Sequence, residues 1–248
     1  MKVTMDITAF VATTTRRIAR YLGAAMVLGG AALVAPGVPS AWAQPCPDVE
    51  VVFARGTSEP PGVGGVGQSF VDALRAKVGE RSFEVYPVNY AASNDFGGGL
   101  DFARTVVDGI RDAGTHIENT AANCPNTRIV LGGFSQGAAL AGYTTSAEFP
   151  REVPAAYLTS LPQPMPPSVA NHVAAVVLFG KPSAEFLAPN GAPPVRIGPQ
   201  YASKTLELCA DGDTICNGAP AGGPPFAHAS YGVNGMTEQG AEYAAAHL

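Results

Sequence analysis

Ser135 is the residue with the clearest chemical potential in this sequence. It is the centre of Gly133-Phe134-Ser135-Gln136-Gly137, a G-x-S-x-G pattern that follows the apolar run 128–131 and precedes an alanine-rich stretch. In a tight strand-to-helix turn of this kind the serine hydroxyl is exposed, and the glycines leave room where strand and helix pass close together. The pattern and its context predict a nucleophilic serine.

A nucleophilic serine needs a histidine that takes its proton. In folds with this turn the chain order is serine, acid, histidine, so the base must follow Ser135. The sequence has four histidines. His116 precedes the serine in a helical stretch and is expected at the surface, His172 begins an apolar run, and His247 is next to the last residue. His228 is therefore predicted to be the base.

The acid that orients the base is expected between the two, near the end of a strand. The segment Cys209-Ala210-Asp211-Gly212-Asp213-Thr214-Ile215-Cys216 offers two aspartates inside a short cysteine loop. Such a loop would hold a carboxylate rigidly. Asp213 or Asp211 is favoured, and Glu207, inside the preceding strand pattern, is the alternative.

The four cysteines indicate two disulfides, because an even number in an exported chain is typical of a disulfide framework. Four cysteines allow three connectivities. Cys209 and Cys216 are so close in sequence that a local loop is the natural pair. This leaves Cys46 to pair with Cys124.

The N-terminal residues have the pattern of an export signal. Arginines between residues 16 and 20 precede an apolar run over 21–34, and Ala41-Trp42-Ala43 follows as an A-x-A cleavage site. We expect residues 1–43 to be removed after Ala43, leaving one domain over 44–248. An uncleaved membrane anchor is the alternative, and both the Sec and the twin-arginine routes remain open.

Composition narrows the class of protein further. The chain has 248 residues and a net charge of −5, with 14% charged and 46% hydrophobic residues. These values indicate one globular domain and argue against a nucleic-acid partner. No clustered set of His, Cys and Asp ligands remains once the cysteines are oxidised, so no metal or organic cofactor is expected.

The elements that must position these residues alternate between apolar runs and helical patterns. The runs are short and rich in β-branched residues, as in strands buried on both faces: 49–53, 83–88, 128–131, 173–179 and 205–208. The helical patterns cover 68–78, 100–122, 136–149 and 237–248, with Thr237 as a cap. This alternation predicts a three-layer α/β sandwich.

Two proline-rich stretches, 150–167 and 182–199, lie between these elements. Their apolar side chains predict either ordinary surface connections or an apolar rim around the site. Those side chains are Tyr157, Leu158, Leu161, Met165, Phe186, Leu187 and Val195.

Together these segments resemble the cutinases, and specifically the secreted cutinase-like serine esterases of mycobacteria and related actinobacteria. The resemblance covers nearly all of the mature chain. It rests on Val51-Val52-Phe53-Ala54-Arg55-Gly56-Thr57, on 124–127 leading into the serine motif, and on the cysteine loop followed by His228. It implies a five-stranded, mainly parallel sheet. It also selects Asp213, which stands three residues before the second cysteine, over Asp211.

The resemblance further implies an oxyanion hole made of the backbone N–H groups of Thr57 and Gln136. The segment 148–165 departs from the family by being longer and richer in proline. We therefore expect a secreted or envelope-associated monomeric esterase that hydrolyses carboxylic esters of short to medium acyl chains, with transient contact with a lipid surface. Acyl transfer or phospholipid deacylation by the same residues, and a non-catalytic envelope module, are the alternatives.

Overall fold

The structure of the chain is a computed structural model that describes residues 45–220 and 225–248. The predicted export signal over 1–43 and the cleavage point after Ala43 lie outside the described residues. None of the helices within the described part combines the length and the apolar character that crossing a membrane requires.

Five strands form one parallel sheet, in the order β2-β1-β3-β4-β5. Their bounds are β1 Val49–Ala54, β2 Phe83–Pro87, β3 Arg128–Phe134, β4 Val173–Phe179 and β5 Thr205–Leu208. In the register of the central strands, Val51 of β1 lies opposite Val85 of β2 and Val130 of β3. All seven residues of β4 are buried, as expected of a strand covered on both faces.

Helices connect the strands and flank the sheet. The α-helices are α1 Gly64–Val78, α2 Leu100–Asn123, α3 Gln136–Thr144, α4 Ala184–Leu187, α5 Pro199–Ala202, α6 Pro225–His228 and α7 Met236–Ala246. The 3-10 helices are η1 Ala155–Ser160, η2 Pro167–Asn171 and η3 Ala188–Asn190.

The two faces of the sheet carry separate cores. Val51 and Phe53 of β1 point to the face that α1 and α7 cover. Val52 and Ala54 alternate with them and point to the face covered by α2 and α3. The three-layer α/β sandwich with a five-stranded sheet is thereby confirmed.

Helices α1 and α3 have different limits from those that the apolar pattern predicts. Helix α1 begins at Gly64 rather than at residue 68, and the N–H of Gly65 in its first turn donates to the Glu59 carboxylate at 2.7 Å. Helix α3 ends at Thr144 rather than at residue 149. There the Thr145 hydroxyl donates to the Gly142 carbonyl at 2.7 Å, which satisfies one of the last helical carbonyls.

The prediction that Thr237 caps the last helix is wrong. The N-cap of α7 is Gly235, whose φ of 86° is in the left-handed region that favours glycine. The Asn234 side chain accepts from the Met236 N–H at 3.0 Å and so satisfies a donor of the first turn. Thr237 is instead fully buried inside that turn.

Both disulfides have the pairing that the sequence predicts, Cys46 with Cys124 and Cys209 with Cys216. The first joins the segments that lead into β3, the central strand, and into its neighbour β1. The second closes a short loop directly after β5. One bridge therefore ties the middle of the sheet, and the other ties a loop at its carboxyl edge.

Candidate active site

Ser135 lies in a sharp turn between β3 and α3, and a glycine stands two positions before it and two positions after it. A Cβ on Gly133 would lie 2.2 Å from the Gly137 carbonyl oxygen, and one on Gly137 would lie 2.0 Å from the Ala54 oxygen. Ser135 itself has a φ of 55°, an unfavourable value for a residue with a side chain. Both glycines of the motif are thus required by the close approach of α3 to the sheet.

His228 lies between the serine and an aspartate. Its Nε2 is 2.8 Å from Ser135 Oγ, and its Nδ1 is 2.7 Å from Asp213 Oδ2. Its ring stacks on Phe134 with centroids 5.0 Å apart. Behind it, a Cβ on Gly180 would come within 3.0 Å of the ring. Phe134 and Gly180 therefore both border the imidazole, and a continuous hydrogen-bonded chain runs from the hydroxyl to the carboxylate.

Asp213 is the acidic residue that contacts His228. Its side chain is completely buried inside the short cysteine loop, and its Oδ1 accepts from the Ile215 N–H at 3.0 Å. Asp211 in the same loop is exposed. Glu207 pairs instead with Lys181 at 3.2 Å. Only one of the three candidate acids therefore contacts the imidazole.

The remaining histidines lie elsewhere. His247 hydrogen-bonds the Tyr243 carbonyl at 2.8 Å, and His172 lies between η2 and β4. His116 is not the surface residue that its helical pattern predicts, since its side chain is only 23% exposed and its Nε2 is 2.7 Å from a Glu50 carboxylate oxygen. None of these three contacts Ser135.

The loop that carries Thr57 follows β1 and is fixed by two charged residues that the sequence analysis did not single out. The buried Arg55 guanidinium donates to the carbonyls of Glu59 and Tyr90, at 2.8 and 2.5 Å. The Glu59 carboxylate accepts from the Gly56 N–H at 2.5 Å and also from the first turn of α1. Thr57 is therefore held between two anchored neighbours.

Gln136 directly follows Ser135 and occupies the first position of α3. Its backbone N–H has no partner within the helix, as at any helix N-terminus. Its side-chain amide donates to the Ser93 carbonyl at 3.0 Å. Thr57 and Gln136 both line the cleft onto which Ser135 and His228 open.

The cleft has a volume of about 1360 Å³, above the ~1000 Å³ upper range typical of ligand sites. Its walls come from one face of α2 and from the two proline-rich stretches. Of the apolar side chains expected at its rim, five line it: Tyr157, Leu161, Met165, Phe186 and Leu187. Leu158 is outside the lining, and Val195 packs against α3 at Gly142 instead.

The first proline-rich stretch is attached to the rest of the molecule at two points. Arg111 of α2 donates to the Ser160 carbonyl at 2.9 Å. Arg196 forms two hydrogen bonds with the Glu152 carboxylate, at 3.0 and 2.6 Å. These bonds lower the pKa of Glu152 to about 2. We call residues 148–165 the proline wall, since they form one side of the cleft.

One close group of potential metal ligands occurs in the described residues, formed by Cys209, Asp213 and Cys216. Both sulfurs are joined in a disulfide. A cysteine ligates metals as the free thiolate, so this group does not fit a metal ion. The Asp213 carboxylate is engaged by His228 instead.

Comparison with known proteins shows the family. Residues 45–248 match the family model described as Cutinase. The chain is 60% identical over 173 residues to the probable carboxylesterase Culp7 of Mycobacterium tuberculosis, covering 70% of this chain and 89% of that protein. It is 46% identical over 239 residues to the carboxylesterase Culp1 of the same organism, covering 95% and 98%.

Among solved structures, the chain is similar to a Trichoderma reesei cutinase in complex with a phosphonate inhibitor. The TM-score is 0.57 at 30% identity, covering 80% of this chain and 75% of that one. Both the sequence relatives and this structure are esterases by description, and the match to the family model extends from the residue before Cys46 to the last residue of the chain. The chain is a carboxylic ester hydrolase that belongs to the cutinase family.

Proposed function

We propose that this esterase acts through a Ser135-His228-Asp213 triad and an acyl-enzyme. The observation that carries the proposal is the unbroken chain of hydrogen bonds, 2.8 Å from Ser135 Oγ to His228 Nε2 and 2.7 Å from His228 Nδ1 to Asp213 Oδ2. In the first step His228 Nε2 takes the hydroxyl proton while Oγ attacks the ester carbonyl carbon. Asp213 holds the imidazole in the tautomer with its proton on Nδ1.

The resulting oxyanion is stabilised by the backbone N–H groups of Thr57 and Gln136. Donors that are already in place stabilise developing charge without reorganisation, and such stabilisation is commonly the largest single contribution to catalysis. The hydrogen bonds of Arg55 and Glu59 support this role, because they fix the loop on both sides of Thr57. The helix N-terminus at Gln136 adds a favourable dipole.

The tetrahedral intermediate then collapses and the alcohol leaves with the proton from His228. Water enters, His228 removes one of its protons, and the hydroxide adds to the acyl carbon. A second collapse releases the carboxylic acid and returns the proton to Ser135 Oγ. Each of the two half-reactions therefore begins with His228 neutral.

We further propose that the substrates are lipid-like esters with short to medium acyl chains. The cleft is lined mainly by apolar side chains, so an acyl chain gains free energy by leaving water there. Phe96, Leu100 and Tyr157 line it and are at least 42% exposed, which suits transient contact with a lipid surface. The two disulfides suit an exported chain acting outside the cytoplasm.

The test of the triad is the release of acid from p-nitrophenyl esters, combined with labelling by an organophosphonate. Ser135→Ala and His228→Ala should each lower kcat by at least about a thousandfold without loss of the fold. His172→Ala is the matched control and should retain the wild-type rate. Peptide mapping should find the phosphonate on Ser135, and label on another residue would overturn the assignment.

The test of the substrate class uses esters from acetate through laurate to palmitate, with and without an acceptor alcohol. We expect kcat/KM to be highest for short to medium chains, with free acid as the main product. A maximum at palmitate would contradict the proposed chain length. Transfer of most acyl groups to the added alcohol would make the enzyme an acyltransferase.

A further inference from the structure

Tyr231 is a second side chain that contacts the carboxylate of Asp213. The tyrosine is completely buried, and its hydroxyl oxygen is 2.7 Å from Asp213 Oδ2. The same Oδ2 atom is 2.7 Å from His228 Nδ1. One carboxylate oxygen therefore has two partners, of which only the imidazole belongs to the proposed triad.

The direction of the tyrosine hydrogen bond follows from the groups around it. Burial raises the pKa of Tyr231 well above its usual value, so the phenol keeps its proton at neutral pH. The Ala210 N–H donates to the hydroxyl oxygen at 2.9 Å. The Cys216 sulfur, 3.3 Å away, is part of a disulfide and has no proton to give. The phenol proton therefore points to Asp213.

The position of the ring is fixed by packing. Phe134 and Phe179 lie against it with centroids 5.6 and 6.3 Å away, and the His228 ring meets it edge-on at 6.2 Å. A Cβ on Gly180 would come within 3.1 Å of its hydroxyl. The tyrosine therefore cannot turn away from the carboxylate without disturbing several buried neighbours.

We propose that Tyr231 is a positioning residue of the triad, which holds Oδ2 of Asp213 in line with His228 Nδ1 and takes up part of its negative charge. This inference rests on the proposed triad. A carboxylate held by one donor fewer can rotate about its own axis, which spoils the orientation of the imidazole. It also attracts the protonated imidazole more strongly, because its charge is no longer shared.

The experiment replaces Tyr231 by Phe, which removes one oxygen and keeps the ring. With rates divided by the number of active sites titrated with an organophosphonate, we expect kcat to fall about tenfold and KM to change less than about twofold. The pH at which the rate is half its plateau should move upward, since His228 becomes harder to deprotonate. Tyr201→Phe is the matched control, because Tyr201 is also buried and its hydroxyl has no partner among the described residues.

Two further variants test the inference, and the first of them keeps it testable if the Phe variant folds poorly. Site-specific 3-fluorotyrosine at position 231 retains the ring and hydroxyl but is a stronger donor, so the half-maximal pH should move downward. In an Asp213→Asn background, Tyr231→Phe should cost less than about twofold in kcat, because the tyrosine acts only through the carboxylate.

An unchanged pH profile in the fluorotyrosine variant would overturn the inference. So would a Tyr231→Phe enzyme that has a lower melting temperature but a normal rate per active site, or a tenfold loss that persists in the Asp213→Asn background. These results would leave the triad itself intact. The triad would fail separately, through full activity of Ser135→Ala or His228→Ala.

Discussion

Within the described residues, two histidines contact carboxylates, and their surroundings differ. His228 meets Asp213 at the edge of the cleft, next to a serine hydroxyl. His116 meets Glu50 between α2 and β1, and its ring stacks on Tyr86 with centroids 3.5 Å apart. Neither member of the second pair hydrogen-bonds Ser135, so we expect its effect to be on stability.

We expect His116→Ala to destabilise the fold by about 2–3 kcal/mol, because it leaves the buried Glu50 carboxylate with one hydrogen bond fewer in a poorly solvated place. Thr120, whose hydroxyl donates to the other Glu50 oxygen at 3.0 Å, would be its remaining partner. Urea unfolding of the wild type and the variant measures the difference. Ester hydrolysis at a temperature where both are folded should be equal within about twofold.

Replacing Glu50 by Met as well removes the unpaired charge. The double variant should therefore regain much of the lost stability, since an apolar side chain of similar volume avoids the cost of burying the carboxylate. A double variant that is less stable than His116→Ala would show that Glu50 has other partners of equal importance.

The residues of the candidate site differ in how far the sequence reveals them. Ser135 is predicted from a local motif and His228 from the order of residues along the chain. Both signals can be read from the linear sequence. Motif and chain order do not distinguish Asp213 from Asp211 as the acid, and only the family resemblance selects Asp213. Tyr231 gives no local signal, because its role depends on an oxygen that meets Asp213 after the chain has folded back.

The two disulfides close loops of very different length and should have different effects on stability and on catalytic rate. In the chain-entropy model, the Cys46–Cys124 bridge stabilises by about 4.5 kcal/mol and the Cys209–Cys216 bridge by about 2.5 kcal/mol. Their sequence separations are 78 and 7 residues. The short one also encloses Asp213, so its loss releases a residue of the proposed triad.

We expect the double variant Cys46→Ala/Cys124→Ala to lose mainly melting temperature, and Cys209→Ala/Cys216→Ala to lose mainly kcat. Calorimetry and initial rates on both variants measure the two effects. The comparison must be made at a temperature at which both variants are folded. Equal losses of kcat there would mean that the short bridge does not position the acid.

The ion pair between Glu152 and Arg196 attaches the proline wall to the second proline-rich stretch, 182–199. Glu152→Gln removes the charge that Arg196 binds. We propose that the wall contacts the far part of an acyl chain rather than the ester group, so KM should rise for laurate esters and stay constant for acetate. Glu148→Gln is the matched control, because Glu148 lies 3.9 Å from its partner Arg151, a much weaker contact.

The pH dependence of this attachment has a definite sign. The pKa of Glu152 is lowered from its usual 4.5 to about 2 by its hydrogen bonds with Arg196. The ion pair therefore contributes fully above pH 4.5 and is lost as the pH falls toward 2. Between pH 8 and 5 the ratio of KM values for laurate and acetate should be constant, and a rise within that window would contradict the role of Glu152.

The apolar pattern of the sequence predicts the positions of the strands better than the ends of the helices. The bounds of β4 and β5 are those of the predicted runs. For β4 the reason is that a strand buried on both faces is apolar throughout, so its ends stand out in the sequence. The end of α3 depends on hydroxyl groups that satisfy carbonyls, and the start of α1 depends on a glutamate from the preceding loop. Such side-chain contacts leave no periodic trace in the sequence.

Three of the proposed catalytic-site residues follow strands that end at the same edge of the sheet. Thr57 follows β1, Ser135 follows β3 and Asp213 follows β5. All strands run parallel, so their carboxyl ends meet at this edge, as is general for ligand sites in open α/β sheets.

We expect the secreted enzyme to begin at Gln44 and to show no tryptophan fluorescence. The sequence contains one tryptophan, Trp42, which lies before the predicted cleavage point. N-terminal sequencing and emission spectra of protein purified from the culture medium check this. Indole emission from active secreted enzyme would show that the chain keeps residues before Ala43.

The pairing of β1 with β3 also affects how fast the chain folds. These strands are neighbours at the centre of the sheet, yet their first residues, Val49 and Arg128, are far apart in the chain. Closing so long a loop is a slow, entropically opposed search for an unlinked chain. The bridge between Cys46 and Cys124 holds the starts of both strands together even in the denatured state. A denatured chain that keeps this bridge should therefore refold faster than a reduced one, since its central pairing has become a short-range event.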